Sequence, residues 1–309
     1  MAFVTLLTQS SYTAATLVLN HTLRLSGSRF RLYVMVSSSL PAQDRAILRR
    51  AGIRMLEVKD LRPPLSKWHP NPADARFADT WLKLRAFDLV QFSRVVLLDA
   101  DMVLRANIDE LMTKPLEPGW IAACPVCACN PEKRPHYPPD WKPANCPYTP
   151  LNHPEAATAA MPITPNSPAP YRLLNSGNVV LTPRREDAER IQSLIATSDM
   201  VSKFQFPDQD LLSHLFKSKW QPLPYVYNGI KPSRIHHAHM WRDEEVKVVH
   251  YVLPDKPWHR REWGNNPYAT LYQWWWDAYD MVRDEMLLKN PTFAAQDLAY
   301  LEHHMSPRA

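Results

Sequence analysis

Hydrophobic positions along the amino-terminal third fall into short apolar runs separated by stretches with helical spacing. Phe3 to Thr8 is an apolar, partly β-branched run, and Ser10 or Ser11 stands where a helix cap belongs. The helix predicted next sets Ala14, Leu17, Val18 and Leu25 on one face. Arg31 to Val36 repeats the strand pattern, Pro41 opens a helix closing near Gly52, and Arg54 to Val58 is a third strand. A Pro-rich loop from Arg62 to Pro72 leads into a helical segment, Thr80 to Phe92, with Leu82, Ala86, Leu89 and Val90 as its apolar face. Val95-Val96-Leu97-Leu98 then reads as a buried strand that stops at Asp99. Strands alternating with helices of this length predict an α/β fold with a mostly parallel central sheet.

The pattern fails between residues 115 and 170, which hold 15 of the 30 prolines and all four cysteines. Such a stretch is an irregular excursion, because proline can neither donate to a sheet nor continue a helix. Regularity resumes with the strand Asn178 to Leu181, a charged helix to about Asp199, a helix over Gln209 to Lys217 and a late strand at Val246 to His250. From Tyr268 to about Lys289, Leu271, Trp275, Tyr279 and Val282 recur at helical spacing.

Composition narrows the chemistry. The 309 residues carry 36 Lys+Arg against 31 Asp+Glu, a formal charge of +5, with 45% hydrophobic residues, as expected of a globular chain. The six glycines stand apart, so neither a dinucleotide fingerprint nor a phosphate-cradling loop can be assembled from them. A nucleotide, if bound, must have its phosphates held by other means. The basic residues are scattered, which gives nucleic-acid binding no support. No apolar run is long enough to span a membrane, and the first run lacks a basic flank. It reads as a strand, the chain is expected to be cytoplasmic, and the Asn20-His21-Thr22 sequon carries no weight.

Four constellations could carry chemistry. Asp99-Ala100-Asp101 sits at the carboxyl end of the buried strand, the edge where open parallel sheets bind ligands. Two carboxylates so close either end the strand as solvated acids or share a cation. His250 ends another strand, where it is a core histidine or a nitrogen ligand that with two carboxylates suits Mn²⁺ better than Ca²⁺. Lys256 follows in Lys256-Pro257-Trp258, as a surface lysine or a point charge for a phosphate. Asn175-Ser176-Gly177-Asn178 reads as a polar turn and Asp208-Gln209-Asp210 as a helix start, each ordinary when taken alone.

Taken in order, with Thr8, Tyr12, Lys83 and Tyr227-Asn228, these motifs resemble the retaining glycosyltransferases of family 8, the family of glycogenin and galactinol synthase, from about residue 2 to 260. The resemblance implies a GT-A fold over residues 1–265, interrupted by the excursion at about 115–170, with residues 266–309 forming a Trp-rich helix and tail packed on the same domain. It implies Mn²⁺ (or Mg²⁺) at Asp99, Asp101 and His250, and a UDP-sugar contacted by Thr8, Tyr12, Lys83, Ala100, Asn175 and Lys256. Asn175 and Gln209 would line the sugar site with Asp208 as an acid near the sugar, and Asp208, Gln209 and Lys256 would be the catalytic residues, Lys256 helping to neutralise the leaving UDP. It also implies a hexosyl unit passed to an acceptor and allows a homodimer. The position of the self-glucosylated tyrosine of glycogenin falls on Ser233, so the acceptor is expected to be a separate molecule. Many members have a glycine where this chain has Leu253. Two alternatives stand beside this reading: an inactive UDP-sugar-binding homologue, and a basic module for anionic ligands with a structural zinc loop.

Cys124, Cys127, Cys129 and Cys146 are either reduced thiols or a Zn²⁺ set with His136 as a substitute ligand. Trp274-Trp275-Trp276 point three ways from a helix, so packing is expected of most of them. His236, His237 and His239 match no ligand spacing and are read as loop residues on the acceptor side.

Overall fold

A computed structural model describes residues 1–68, 72–262 and 264–305. Seven strands form the main sheet: β1 Ala2–Leu7, β2 Leu32–Val36, β3 Arg54–Glu57, β4 Val95–Leu98, β6 Ile121–Pro125, β7 Leu174–Leu181 and β8 Trp220–Pro222, in the order β3-β2-β1-β4-β7-β6-β8. β5 Met102–Leu104, β9 Gly229–Ile230 and β10 Val248–His250 make a small second sheet in the order β5-β10-β9.

The parallel half comes from the amino-terminal pattern. Helix α1, Thr13–Leu25, returns the chain from β1 to β2, and α2, Ala42–Arg50, returns it to β3. Alternate residues face opposite ways along each strand, so Phe3, Val34, Val96 and Val180 enter one hydrophobic cluster while Val4, Met35, Leu97 and Val179 enter another. Both sheet faces are therefore covered, as a parallel sheet requires. Gly52 closes α2 at φ +71°, a left-handed conformation that favours glycine.

β7 runs antiparallel to both β4 and β6, which departs from the parallel pattern and decides where the site forms. The register pairs Leu98 with Asn178, so the amino end of β7 lies beside the carboxyl end of β4. Asn175-Ser176-Gly177 is thus already strand and not a turn, and the Asp99 N–H donates to the Gly177 carbonyl at 2.8 Å. In the small sheet, β10 pairs antiparallel with β5 and sets His250 opposite Met102, next to Asp101.

The stretch expected to be irregular over about 115–170 begins with β6, Ile121–Pro125, a fully buried strand between β7 and β8, because Ile121-Ala122-Ala123-Cys124 is an apolar run that its flanking prolines do not interrupt. Several helix boundaries shift. The segment expected at Thr80 to Phe92 is a 3-10 helix over Pro72–Asp88, leaving Val90 exposed while Leu82, Ala86 and Leu89 are buried. Leu25 is likewise exposed, past the point where α1 touches the core. Neither Ser10 nor Ser11 caps α1, since both lie in a 3-10 turn that puts Tyr12 at the cap position, and the Ser10 hydroxyl donates to Asp44 at 2.7 Å. Helices α3, Arg185–Thr197, and α4, Pro207–Leu215, both pack against the Pro72–Asp88 segment, and α4, which carries Asp208, also packs on β7. The tail supplies two helices where one was read: α5, Ala269–Lys289, and α6, Pro291–Met305. Trp275 is buried and Trp276 donates to the Pro257 carbonyl at 2.9 Å, while Trp274 lies 3.8 Å from the Arg105 guanidinium. Residues 69–71 of the Pro-rich loop, Trp263, and residues 306–309 of the tail lie outside the described residues. Among the described residues no helix is long and apolar enough to cross a membrane.

Candidate active site

The carboxyl ends of β1 and β4 and the amino end of β7 open on a cleft of about 330 Å³. Thr8, Tyr12, Lys83, Asp99, Ala100, Asp101, Asn175, Asp208, Gln209, His250 and Lys256, the residues the resemblance points to, all line it.

Charge organises the floor. Lys83 Nζ lies 2.6 Å from Asp99 and 2.8 Å from Asp208, and donates to the Ser176 carbonyl at 3.1 Å. Lys256 Nζ lies 2.5 Å from Asp101 and donates to the Tyr251 carbonyl at 2.6 Å. Burial works against the Lys83 ammonium, but Asp208 and Asp99 outweigh it and hold its pKa well above the usual lysine value. Burial also pushes the Asp99 carboxyl up against the pull of Lys83 and His250, whereas at Asp101 the same penalty is overcome by Lys256 and His250 and the pKa falls far below the ordinary range. Among the described residues, the carboxylates of Asp99, Asp101 and Asp208 share this floor with the ammonium groups of Lys83 and Lys256.

The orientation of His250 follows from one backbone donor. The Gly177 N–H donates to the Asn175 side chain at 3.0 Å, so the atom it meets must be Oδ1. That oxygen also accepts from Asn228 Nδ2 at 2.7 Å, which turns Asn228 Oδ1 toward His250 Nδ1 at 2.8 Å. Nδ1 therefore carries the proton, and in the neutral ring Nε2 presents a lone pair. This lone pair faces Asp101 Oδ1 at 3.3 Å and Asp99 Oδ2 at 3.5 Å. Three electron-rich atoms turned on one point repel each other unless a cation or a second imidazole proton lies among them, and the mixed oxygen and nitrogen set suits a divalent first-row metal. The residues present fit the expected metal. Gly177 makes this packing fit, since a Cβ there would stand 2.4 Å from His250 Cε1.

Other neighbours extend the ladder. Asn175 Nδ2 donates to Gln209 Oε1 at 3.2 Å, linking β7 to α4. Tyr12 meets Trp258 edge-on at 5.3 Å, and Trp258 packs on Trp275 at 5.4 Å, so α5 buttresses the loop that carries Lys256. Leu253 takes φ +75°, keeping a left-handed backbone where the resemblance expects glycine. Asn130, Glu132, Arg134, Tyr137 and Trp141, which belong to none of the sequence motifs, reach the cleft from the Pro-rich excursion. No periodicity marks them, because an irregular loop places side chains by its anchors rather than by repeat.

The cysteine set is corrected. Cys124 turns away and its thiol meets the Pro224 carbonyl at 3.2 Å, while Cys127, Cys129 and Cys146 gather around His237, a residue read as an acceptor-side loop position. His136 is not among the converging groups.

Solved glycosyltransferases share this architecture. The galactosyltransferase LgtC in complex with donor and acceptor sugar analogs superposes with a TM-score of 0.61 at 19% identity, covering 91% of this chain and 96% of that one. GlyE from Streptococcus pneumoniae superposes with a TM-score of 0.57 at 17% identity, covering 93% of this chain and 64% of that one. The fold is that of the GT-A glycosyltransferases. A family model described as Glycosyl transferase family 8 matches residues 3–262, and the chain belongs to that family. It is 31% identical to galactinol synthase 7 of Arabidopsis thaliana over 298 residues, covering 94% of this chain and 85% of the relative. Galactinol synthase 2 of Ajuga reptans is 29% identical, covering 86% of each.

Proposed function

We propose that this glycosyltransferase is a retaining, divalent-metal-dependent enzyme that moves a hexosyl unit from a UDP-sugar to a separate acceptor. The observation that carries the reading is the convergence of His250 Nε2, oriented by the Gly177–Asn175–Asn228 relay, with the carboxylates of Asp99 and Asp101. Asp99, Asp101 and His250 would hold Mn²⁺ (or Mg²⁺), which when bound supplies positive charge for the diphosphate oxygens. The names of the curated relatives favour a galactosyl unit.

Transfer breaks the bond between the anomeric carbon and UDP, and its electron pair leaves on the diphosphate. Lys256 stands at the closing loop as a fixed, buried cation where that charge develops. The sugar ring gains positive character, and Asp208, held by Lys83, supplies a carboxylate on its side of the cleft. The acceptor hydroxyl gives up its proton as its oxygen bonds the anomeric carbon. Gln209 and Asn175, joined to each other, offer amide groups to the sugar hydroxyls, and Thr8 and Tyr12 flank the nucleotide end.

The test is a panel of labelled UDP-hexoses incubated with Mn²⁺, scored for hydrolysis and transfer, alongside melting curves with UDP and Mn²⁺. UDP with Mn²⁺ should raise the melting temperature, and EDTA should abolish the rise. Asp101→Asn should reduce turnover by about 100-fold or more. Undiminished Mn²⁺-dependent turnover in that variant would overturn the metal assignment, and absence of a melting shift in the parent would overturn the UDP-sugar reading.

A further inference from the structure

A second set of ligand atoms converges away from the acidic floor, and the transferase reading does not use it. Cys127 and Cys129 follow β6, Cys146 lies deep in the Pro-rich excursion, and His237 follows the short helical turn Ser233–His236. Their four ligand atoms all lie within 4.8 Å of one another. His237 Nε2 stands 3.3 Å from Cys127 Sγ, 3.3 Å from Cys129 Sγ and 3.7 Å from Cys146 Sγ, and the Cys127 and Cys146 sulfurs are 3.9 Å apart.

These separations lie within a few tenths of an ångström of the edges of a coordination tetrahedron. Metal–sulfur bonds of about 2.3 Å and metal–nitrogen bonds of about 2.0–2.1 Å give sulfur–sulfur edges near ~3.8 Å and sulfur–nitrogen edges near ~3.6 Å. A disulfide accounts for the arrangement less well. It needs two sulfurs at about 2.05 Å and leaves a third thiol and an imidazole turned on nothing. Three soft sulfurs and one imidazole converging on one point select zinc over the hard cation suited to Asp99 and Asp101. Cys129, Cys146 and His237 are buried and all four positions are protein groups, so the site is closed and structural in type.

We propose that Cys127, Cys129, Cys146 and His237 form a structural zinc site that fastens the Pro-rich excursion to the segment around Ser233–Trp241 and thereby fixes one wall of the cleft. The anchoring is needed because the excursion past β6 has no strand before β7 among the described residues, yet it carries Glu132, Arg134, Tyr137 and Trp141 to the cleft. On the opposite side His237 is held by its own backbone, with its N–H on the Ser233 carbonyl at 2.9 Å and its carbonyl accepting from Met240 and Trp241 at 3.0 Å. Binding replaces three thiol protons, released to solvent, by one Zn²⁺.

The experiment uses the full chain, purified without added zinc, with metal counted by elemental analysis and free thiols by titration before and after denaturation. One zinc per chain is expected, retained in Asp101→Asn and in Cys124→Ser, and reduced at least tenfold in Cys129→Ser and His237→Ala. Exchange of the parent protein with Co²⁺ should give the intense visible bands and sulfur charge transfer of a tetrahedral thiolate site, a readout that does not depend on a variant folding. With the metal removed, hydrogen exchange over residues 126–150 should rise relative to the sheet. Stoichiometric zinc that persists in both Cys129→Ser and His237→Ala would overturn the proposal, as would parent protein that holds no zinc and shows either free thiols throughout or a disulfide by mass.

Discussion

At the residue scale, two positions show backbone and side chain deciding each other. His250 lies against Gly177 so closely that a methyl group cannot enter without moving the ring. Gly177→Ala is expected to weaken Mn²⁺ binding at least tenfold, about 1.4 kcal/mol, with little change in the cooperativity of unfolding, checked by electron paramagnetic titration of Mn²⁺. Leu253 is the opposite case, a bulky side chain at φ +75°. A left-handed backbone costs a residue with a Cβ about 1–2 kcal/mol. Leu253→Gly should relieve that strain, offset in part by the greater freedom glycine has in the unfolded chain. A net gain of about 0.5–1 kcal/mol in denaturant unfolding is the expected outcome, and a loss of stability would show that Leu253 is held by packing instead.

At the scale of elements, the start of α4 carries a cost that pH reveals. Asp210 accepts the backbone N–H groups of Gln205 and Phe206 at 2.8 and 2.9 Å, which closes the entry to the helix. Burial nevertheless pushes its carboxyl up to about 6, against the help of those two donors and with the Asp208 carboxylate adding to the rise. The native state therefore holds this proton more tightly than the unfolded chain does. The stability it contributes is fully present below about pH 4 and is lost as pH rises through about 6. Asp210→Asn keeps an acceptor oxygen for both N–H groups and has no charge to bury. The variant should match its parent near pH 4 and exceed it at pH 7.5 by on the order of 2 kcal/mol, measured as the difference between paired denaturation curves across that range.

At the scale of the whole molecule, the last helix closes on the first third of the chain. Asp297 of α6, 2% exposed, takes the Arg50 guanidinium at 2.5 and 2.7 Å and the Gln43 amide at 2.8 Å. Tyr300 reaches Asp44 at 3.0 Å, the carboxylate that also collects Ser10 and Thr13. Removing one partner of a largely buried pair leaves the other charge unmatched, so Arg50→Met is expected to cost about 2–4 kcal/mol, read as a lower denaturant midpoint. Because α5 also supports Trp258, loss of tail packing should reach the cleft through the loop that carries Lys256.

Much of this was legible because the signals are local. The alternation of β1, β2 and β4, the return of α1 and α2, and the acid pair at the end of β4 depend on periods of two and 3.6 that a sequence displays directly. The order of the motifs then carried the family and the GT-A fold. Tertiary structure alone decided what sits beside what. The antiparallel entry of β7 brings Asn175 and Gly177 to Asp99, and the pairing of β10 with β5 brings His250 to Asp101, neither of which is written in any local spacing. The same holds for the cysteines. Their sequence proximity put Cys124 in the set, but Cys124 is fixed inside β6 with its thiol on the Pro224 carbonyl, whereas Cys127 and Cys129 lie past the end of that strand and are joined by His237 from a distant segment. Sequence determined which residues were available for chemistry, and strand register determined which of them share a point in space.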